Sequence, residues 1–167
     1  PAVNFTLTNT AGAPANIAFV QQPTDTVAGA GITPMVSVAV TDAFGNGIAG
    51  ENVILTLSTG TGALSGTLLN STDGAGVALF PGISINLIGV KNLTATAGAL
   101  SDVSNAFTIT AGAPANIAFV QQPTDAQAGA TIAPAVTVSV TDSLGNAVAG
   151  QNVTLTLTTG TGVLAGT

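Results

Sequence analysis

Histidine, cysteine, tyrosine and tryptophan are absent from this sequence of 167 residues, and Lys91 is its only cation. Each absence closes a class of chemistry. Without cysteine there is neither a disulfide framework nor a thiolate metal site, and the redox compartment stays open. Without histidine, and with a single lysine, no Ser-His-Asp or Cys-His nucleophile system can be assembled. A glycosidase-like pair would need two of the seven acids to meet across a cleft, yet all of them fall at turns or strand ends, so no enzyme is expected. A net charge of −6 with one cation removes the basic footprint that nucleic acids require. The missing Tyr and Trp rule out a tyrosine corner and leave no aromatic-rich face for sugars or proteins.

Charge of either sign is also scarce, at 5% of residues against an ordinary share of about 25%. Gly, Thr, Ser, Asn and Ala keep the surface polar instead. No apolar run reaches the roughly 18 to 20 residues of a spanning helix, because Thr, Gly, Asn or Pro interrupts each one, so no membrane insertion is expected in this segment. No signal peptide is visible.

What the sequence does contain is repetition. The fifteen residues AGAPANIAFVQQPTD at 11–25 return unchanged at 111–125, and 11–67 match 111–167 at about 41 of 57 positions without a gap. A period near 100 is one domain long, which points to autonomous small domains in a string. Residues 11–110 therefore read as a complete repeat and 111–167 as a partial second one. Residues 1–10 read as the last strand of a preceding copy, because Phe5-Thr6-Leu7-Thr8 mirrors Phe107-Thr108-Ile109-Thr110. On this reading the sequence is a piece of a longer polypeptide.

Within one copy the apolar period is two. Val36, Val38 and Val40 alternate with Ser37, Ala39 and Thr41, and the second copy keeps all three valines while changing Ser37 to Thr137 and Ala39 to Ser139. Val53, Leu55 and Leu57 alternate in the same way with Ile54, Thr56 and Ser58. Further strands are expected at 16–22, 77–80, 83–87, 92–96 and 104–110, with turns at 42–47 and 72–76 and a Gly-Thr loop after Ser58 anchored by Leu64. Phe44 is expected to tuck under its turn. No stretch carries a helical apolar stripe. About seven short strands in about 100 residues give an all-β chain of immunoglobulin-like β-sandwich repeats in tandem, with essentially no helix.

These residues resemble bacterial Ig-like repeats of large surface adhesins and of invasin-like or filamentous extracellular proteins. The resemblance rests on PANIAFVQQPTD, VSVAVTDAFGNGIAGENVILTL, the LSGT loop, TDGAGVALFPGISI and NLTATAG, and it spans the whole chain. It implies a non-enzymatic, secreted structural repeat: a semi-rigid stalk of a cell-surface adhesin. It also implies partners that are neighbouring copies of the repeat, with no cofactor and no small-molecule substrate. Near absence of charge leaves self-association into fibres by inter-chain strand pairing as the alternative.

Sites are few. Asp25, Asp42, Asp73 and Asp102, with Asn46 and Glu51, are the oxygen donors that could hold calcium, yet no DxDxD-like run gathers them, and Glu51 becomes Gln151. The pattern favours Asp42 as a turn-starting side chain that bonds its own backbone. Lys91 reads as a solvated lysine rather than as one partner, with Glu51 and an Asn, of an isopeptide crosslink. For a carbohydrate- or protein-binding patch, only Phe44 and Phe80 are candidates.

Overall fold

The computed structural model describes residues 3–166, which divide near Ala111 into two units. The first unit contains eleven strands: β1 (Asn16–Gln21), β2 (Thr26–Val27), β3 (Val36–Thr41), β4 (Asn52–Thr59), β5 (Leu64–Ser65), β6 (Leu69–Ser71), β7 (Val77–Phe80), β8 (Ser84–Ile85), β9 (Gly89–Ala97), β10 (Leu100–Val103) and β11 (Phe107–Thr110). The second contains β12 (Asn116–Gln121) and β13 (Thr137–Thr141). No helix occurs among the described residues.

Two sheets face each other in the first unit. One has the order β1-β3-β7 and the other β2-β11-β9-β4-β6, with β10 against the far half of β9 and a small β5-β8 pair beside them. The N-terminal stretch serves both sheets: β1 pairs with β3, and after Pro23 the chain crosses over so that β2 lies parallel to β11. Proline at this corner suits a point where no ladder hydrogen bond is wanted. The result is an all-β, immunoglobulin-like sandwich.

Period-two alternation explains which side chains fill it. Val36, Val38, Val40, Val53, Leu55, Leu93, Ala95, Phe107 and Ile109 point between the sheets and are buried, while Ile54 and Thr56 point outward. Each fully buried Val, Leu, Ile or Phe contributes about 1.5 to 3 kcal/mol from its transfer out of water. Every buried hydrophobic side chain among the described residues lies between Phe19 and Ile109. Hydrogen bonds close the sandwich at its side: the Asp102 carboxylate on β10 accepts the Phe19 N–H at 3.1 Å, and Asp25 accepts the Thr108 N–H at 2.6 Å.

Several expectations are corrected. Ser37 is buried rather than solvated, because β3 is the middle strand of its sheet and its hydroxyl accepts the Gln21 N–H at 3.1 Å where β1 bulges. Phe44 is 90% exposed instead of tucked under its turn. Phe80 is buried and leaves no patch, since it sits opposite Val36 in the β3-β7 ladder. Strands β6 and β10, each only three or four residues long, were not foreseen. Residues 3–10 form no strand and are exposed.

In the second unit β12 and β13 repeat the register of β1 and β3, including the bulge. Residues 152–159, equivalent to β4, form no strand.

Candidate functional site

The most highly connected polar group lies where the linker meets the first unit. Asp42 starts the turn after β3, and its buried carboxylate gathers four donors: Oδ1 takes the N–H of Phe44 and of Asn46, each at 2.9 Å. Oδ2 takes the Asn46 side-chain amide and the Gly12 N–H, each at 2.9 Å. Gly12 belongs to the Ala-Gly-Ala-Pro linker, which is also held by Ala15 N–H on the Thr41 carbonyl at 2.9 Å and by Asn16 Nδ2 on the Asp42 carbonyl at 3.2 Å. Asn46 first, and then the Gly12 N–H, stabilise the charged form, so the Asp42 carboxyl lies well below the usual carboxylate range against the opposing effect of burial.

The second unit repeats the arrangement. Asp142 accepts Gly112 N–H at 3.0 Å, Leu144 N–H at 2.9 Å and Asn146 N–H at 2.8 Å, and Asn116 Nδ2 donates to its carbonyl at 3.2 Å. The Gly112 bond is the leading cause that lowers its carboxyl to about 2. A turn-starting Asp was legible in the sequence; its bond to a glycine thirty residues upstream was not.

The other acids have separate tasks. Asp73 Oδ1 accepts the Ala75 and Val77 N–H groups at 2.9 Å each, shaping the second turn, while Asp25 and Asp102 tie strands together as described. Among the described residues no three acidic side chains come together. Calcium takes six to eight oxygens. Asp25, Asp42, Asp73 and Asp102 instead present their oxygens to main-chain N–H groups at different points of the fold.

Lys91 corrects the expectation of a solvated side chain. It is 1% exposed, and its ammonium donates to the main-chain carbonyls of Thr61 at 2.7 Å and Ile88 at 3.1 Å. It lies on the inward face of β9, two residues before Leu93, and threads beneath the Gly60–Gly62 loop; a Cβ on Gly60 would fall 2.8 Å from Lys91 Cδ. Glu51 lies beside Gly98, beyond the opposite end of β9 and about 23 Å away along an extended strand, so the two are not brought together for a crosslink.

The second unit offers a different feature, an open apolar cleft of about 590 Å³ lined by Ile117, Phe119, Val138, Val153, Leu155 and Leu157. Their counterparts in the first unit are core residues: Leu55 is 1% exposed and Leu155 43%, Phe19 8% and Phe119 47%.

No protein-family model and no curated protein matches the chain. Among solved structures it is similar to "Structure of surface layer protein SbsC, domains 4-9", at 22% identity and a TM-score of 0.46. The match covers 81% of this chain and 21% of that one, so the chain spans about a fifth of its length.

Proposed function

We propose that this chain is a stretch of non-enzymatic structural repeats from a semi-rigid stalk of an extracellular bacterial surface adhesin. The observation that carries the reading is the pair of linker latches, Gly12 on Asp42 and Gly112 on Asp142. In the first unit Thr110 is tied to the sheet, its carbonyl accepting the Ala28 N–H at 2.8 Å, and in the second Gly112 is tied to Asp142. Only Ala111 lies between these anchors, and Pro114 follows with its fixed φ. Each linker is thus held to the domain that it enters, and its proline favours the semi-stiff connection that a stalk needs.

Other features agree. Filled sandwiches with short turns resist extension, and a surface nearly without charge brings little repulsion between neighbours. The bacterial cell-surface setting follows the resemblance of these repeats to those of surface adhesins. The test is scattering in solution from chains of one, two and three complete copies. A stalk gives a maximum dimension that grows by a constant increment per copy, and a flexible string gives one that grows more slowly.

A further inference from the structure

Of the asparagines in the chain, only Asn46 is followed by glycine. That dipeptide lies in the turn that carries the linker latch. The Asn46 side-chain amide donates to Asp42 Oδ2, the oxygen that also holds the Gly12 N–H. The main chain on either side is fixed, since the Asn46 carbonyl accepts the Asp42 N–H and the Val40 carbonyl accepts the Ile48 N–H, each at 2.9 Å. Between these two bonds Thr41 and Gly47 stand opposite each other as a non-hydrogen-bonded pair, so the Gly47 N–H points away from Thr41. It has no acceptor among the described residues. A main-chain nitrogen that is not engaged, that follows an asparagine and whose own residue has no Cβ to obstruct its approach is the nucleophile that succinimide formation requires.

We infer that Asn46 is a modification site, which deamidates without an enzyme by attack of the Gly47 nitrogen, and that its product can no longer support the latch on Gly12. This chemistry goes beyond the stalk reading and does not depend on it. The Gly47 nitrogen gives up its proton to solvent and bonds to Asn46 Cγ. The Cγ–Nδ2 bond breaks, and the nitrogen takes a proton from water and leaves as ammonia. Water then opens the succinimide at either of its carbonyls, which leaves aspartate or isoaspartate at position 46. In balance a water molecule is consumed and an ammonia released, and nothing is oxidised or reduced.

The bond that guards the site is the bond that the reaction destroys. While Asp42 holds Nδ2, the side chain is restrained from turning to Gly47, so the reaction waits on brief openings of the latch. Afterwards position 46 carries a carboxylate where Asp42 had a donor, and two like charges at that spacing repel. In isoaspartate the main chain is also one carbon longer. Gly47 has no room to take up the shift, because even an added Cβ would collide with the Ala75 carbonyl. Either product thus loosens the hold of Asp42 on Gly12, and does so irreversibly. The second copy has the same latch, with Asn146 Nδ2 on Asp142 Oδ2 at 3.0 Å, but Ala147 follows, and its methyl group obstructs the nitrogen. The two latches therefore differ in lifetime.

The test is incubation of the native 167-residue chain for weeks at neutral pH, followed by unfolding, digestion and mass spectrometry to locate each gain of about 1 Da. Asn46 is expected to react before every other asparagine, with Asn146 intact. In the deamidated fraction, separated by its added negative charge, amide exchange at Gly12 should rise to that of an open linker while Gly112 stays protected. Gly47→Ala should slow the reaction about tenfold although that variant is less stable, and Asp42→Ala should speed it about tenfold by releasing the amide. An Asn46 that stays intact throughout, or reacts no sooner than the other asparagines, overturns the inference. An equal rate in Gly47→Ala overturns the route through the glycine nitrogen, and an unchanged rate in Asp42→Ala overturns the guarding by the latch. A deamidated fraction in which Gly12 stays protected overturns the unlatching. None of these results bears on the increment per copy that tests the stalk.

Discussion

The carboxylate of Asp42 holds the N–H of Gly12 at 2.9 Å, and the carboxylate of Asp142 holds that of Gly112 at 3.0 Å. In each copy one side chain satisfies both the turn it starts and the linker that enters the domain. Replacing Asp42 by Ala removes four hydrogen bonds at once and leaves the Gly12, Phe44 and Asn46 N–H groups without it. The thermal midpoint of the first unit is expected to fall, and amide exchange at Gly12 to rise to the rate of an open linker. An unchanged exchange rate at Gly12 would show that the latch holds nothing.

The latches also fix an acid limit. Both native carboxyls lie below their ordinary value of 3.8, Asp142 at about 2 and Asp42 lower. A depressed acid contributes stability that is complete above the unfolded-state value and is lost as pH falls through the native one. Stability should therefore be flat from neutral pH down to about 4 with respect to these groups and decline below it. Asp42→Asn should flatten the acid limb; a limb equally steep in that variant would assign it to other acids.

Core substitutions in the first unit should be costly. Leu55→Ala leaves a cavity between two sheets and is expected to cost about 2 to 5 kcal/mol. Ile54→Ala, on the outward face of the same strand where the side chain is 45% exposed, should change stability far less. Denaturant titration of both variants measures the contrast directly.

Gly47 sits against a second turn, so that an added Cβ would collide with the Ala75 carbonyl, and Gly76 would meet Gly47 Cα at 2.6 Å. Gly47→Ala is expected to cost about 1 to 3 kcal/mol by overpacking. Equal stability of the wild-type and Gly47→Ala chains would contradict the packing described.

Lys91 turns the single cation into a reporter of unfolding. Because it is buried, and its peptide bond lies in β9, trypsin should leave the native chain intact and cut after Lys91 only when the first unit opens. Rapid native cleavage into 1–91 and 92–167 would contradict the burial. The mass spectrum after brief digestion at rising temperature gives the result.

The sandwich was legible because alternation along Val36–Val40 and Val53–Leu57 leaves one answer for which face is buried, and the second copy changes mainly the outward residues. What escaped the sequence depended on neighbours. Ser37 looks like an outward residue until β3 is known to be the middle strand of its sheet. Lys91 looks solvated until the period of β9 is carried back from Leu93, which places it on the inward face; that signal was present, but charge outweighed it. Phe44 escaped because a turn hydrophobe with no strand period carries no information about its side. Asp42 and Asp73 start turns as read from the sequence, whereas Asp102 lies within β10, and the bond from Asp42 to Gly12 spans thirty positions and has no local signature.

The most direct measurement of the central claim is small-angle scattering on chains of one, two and three complete copies joined by Ala-Gly-Ala-Pro, in calcium and in chelator. The account predicts a maximum dimension that rises by roughly 35 Å with each copy, from strands of about ten residues, and that ignores calcium. Collapse of the increment with copy number would contradict the stalk, and a length that changes with calcium would make the acidic turns a metal site.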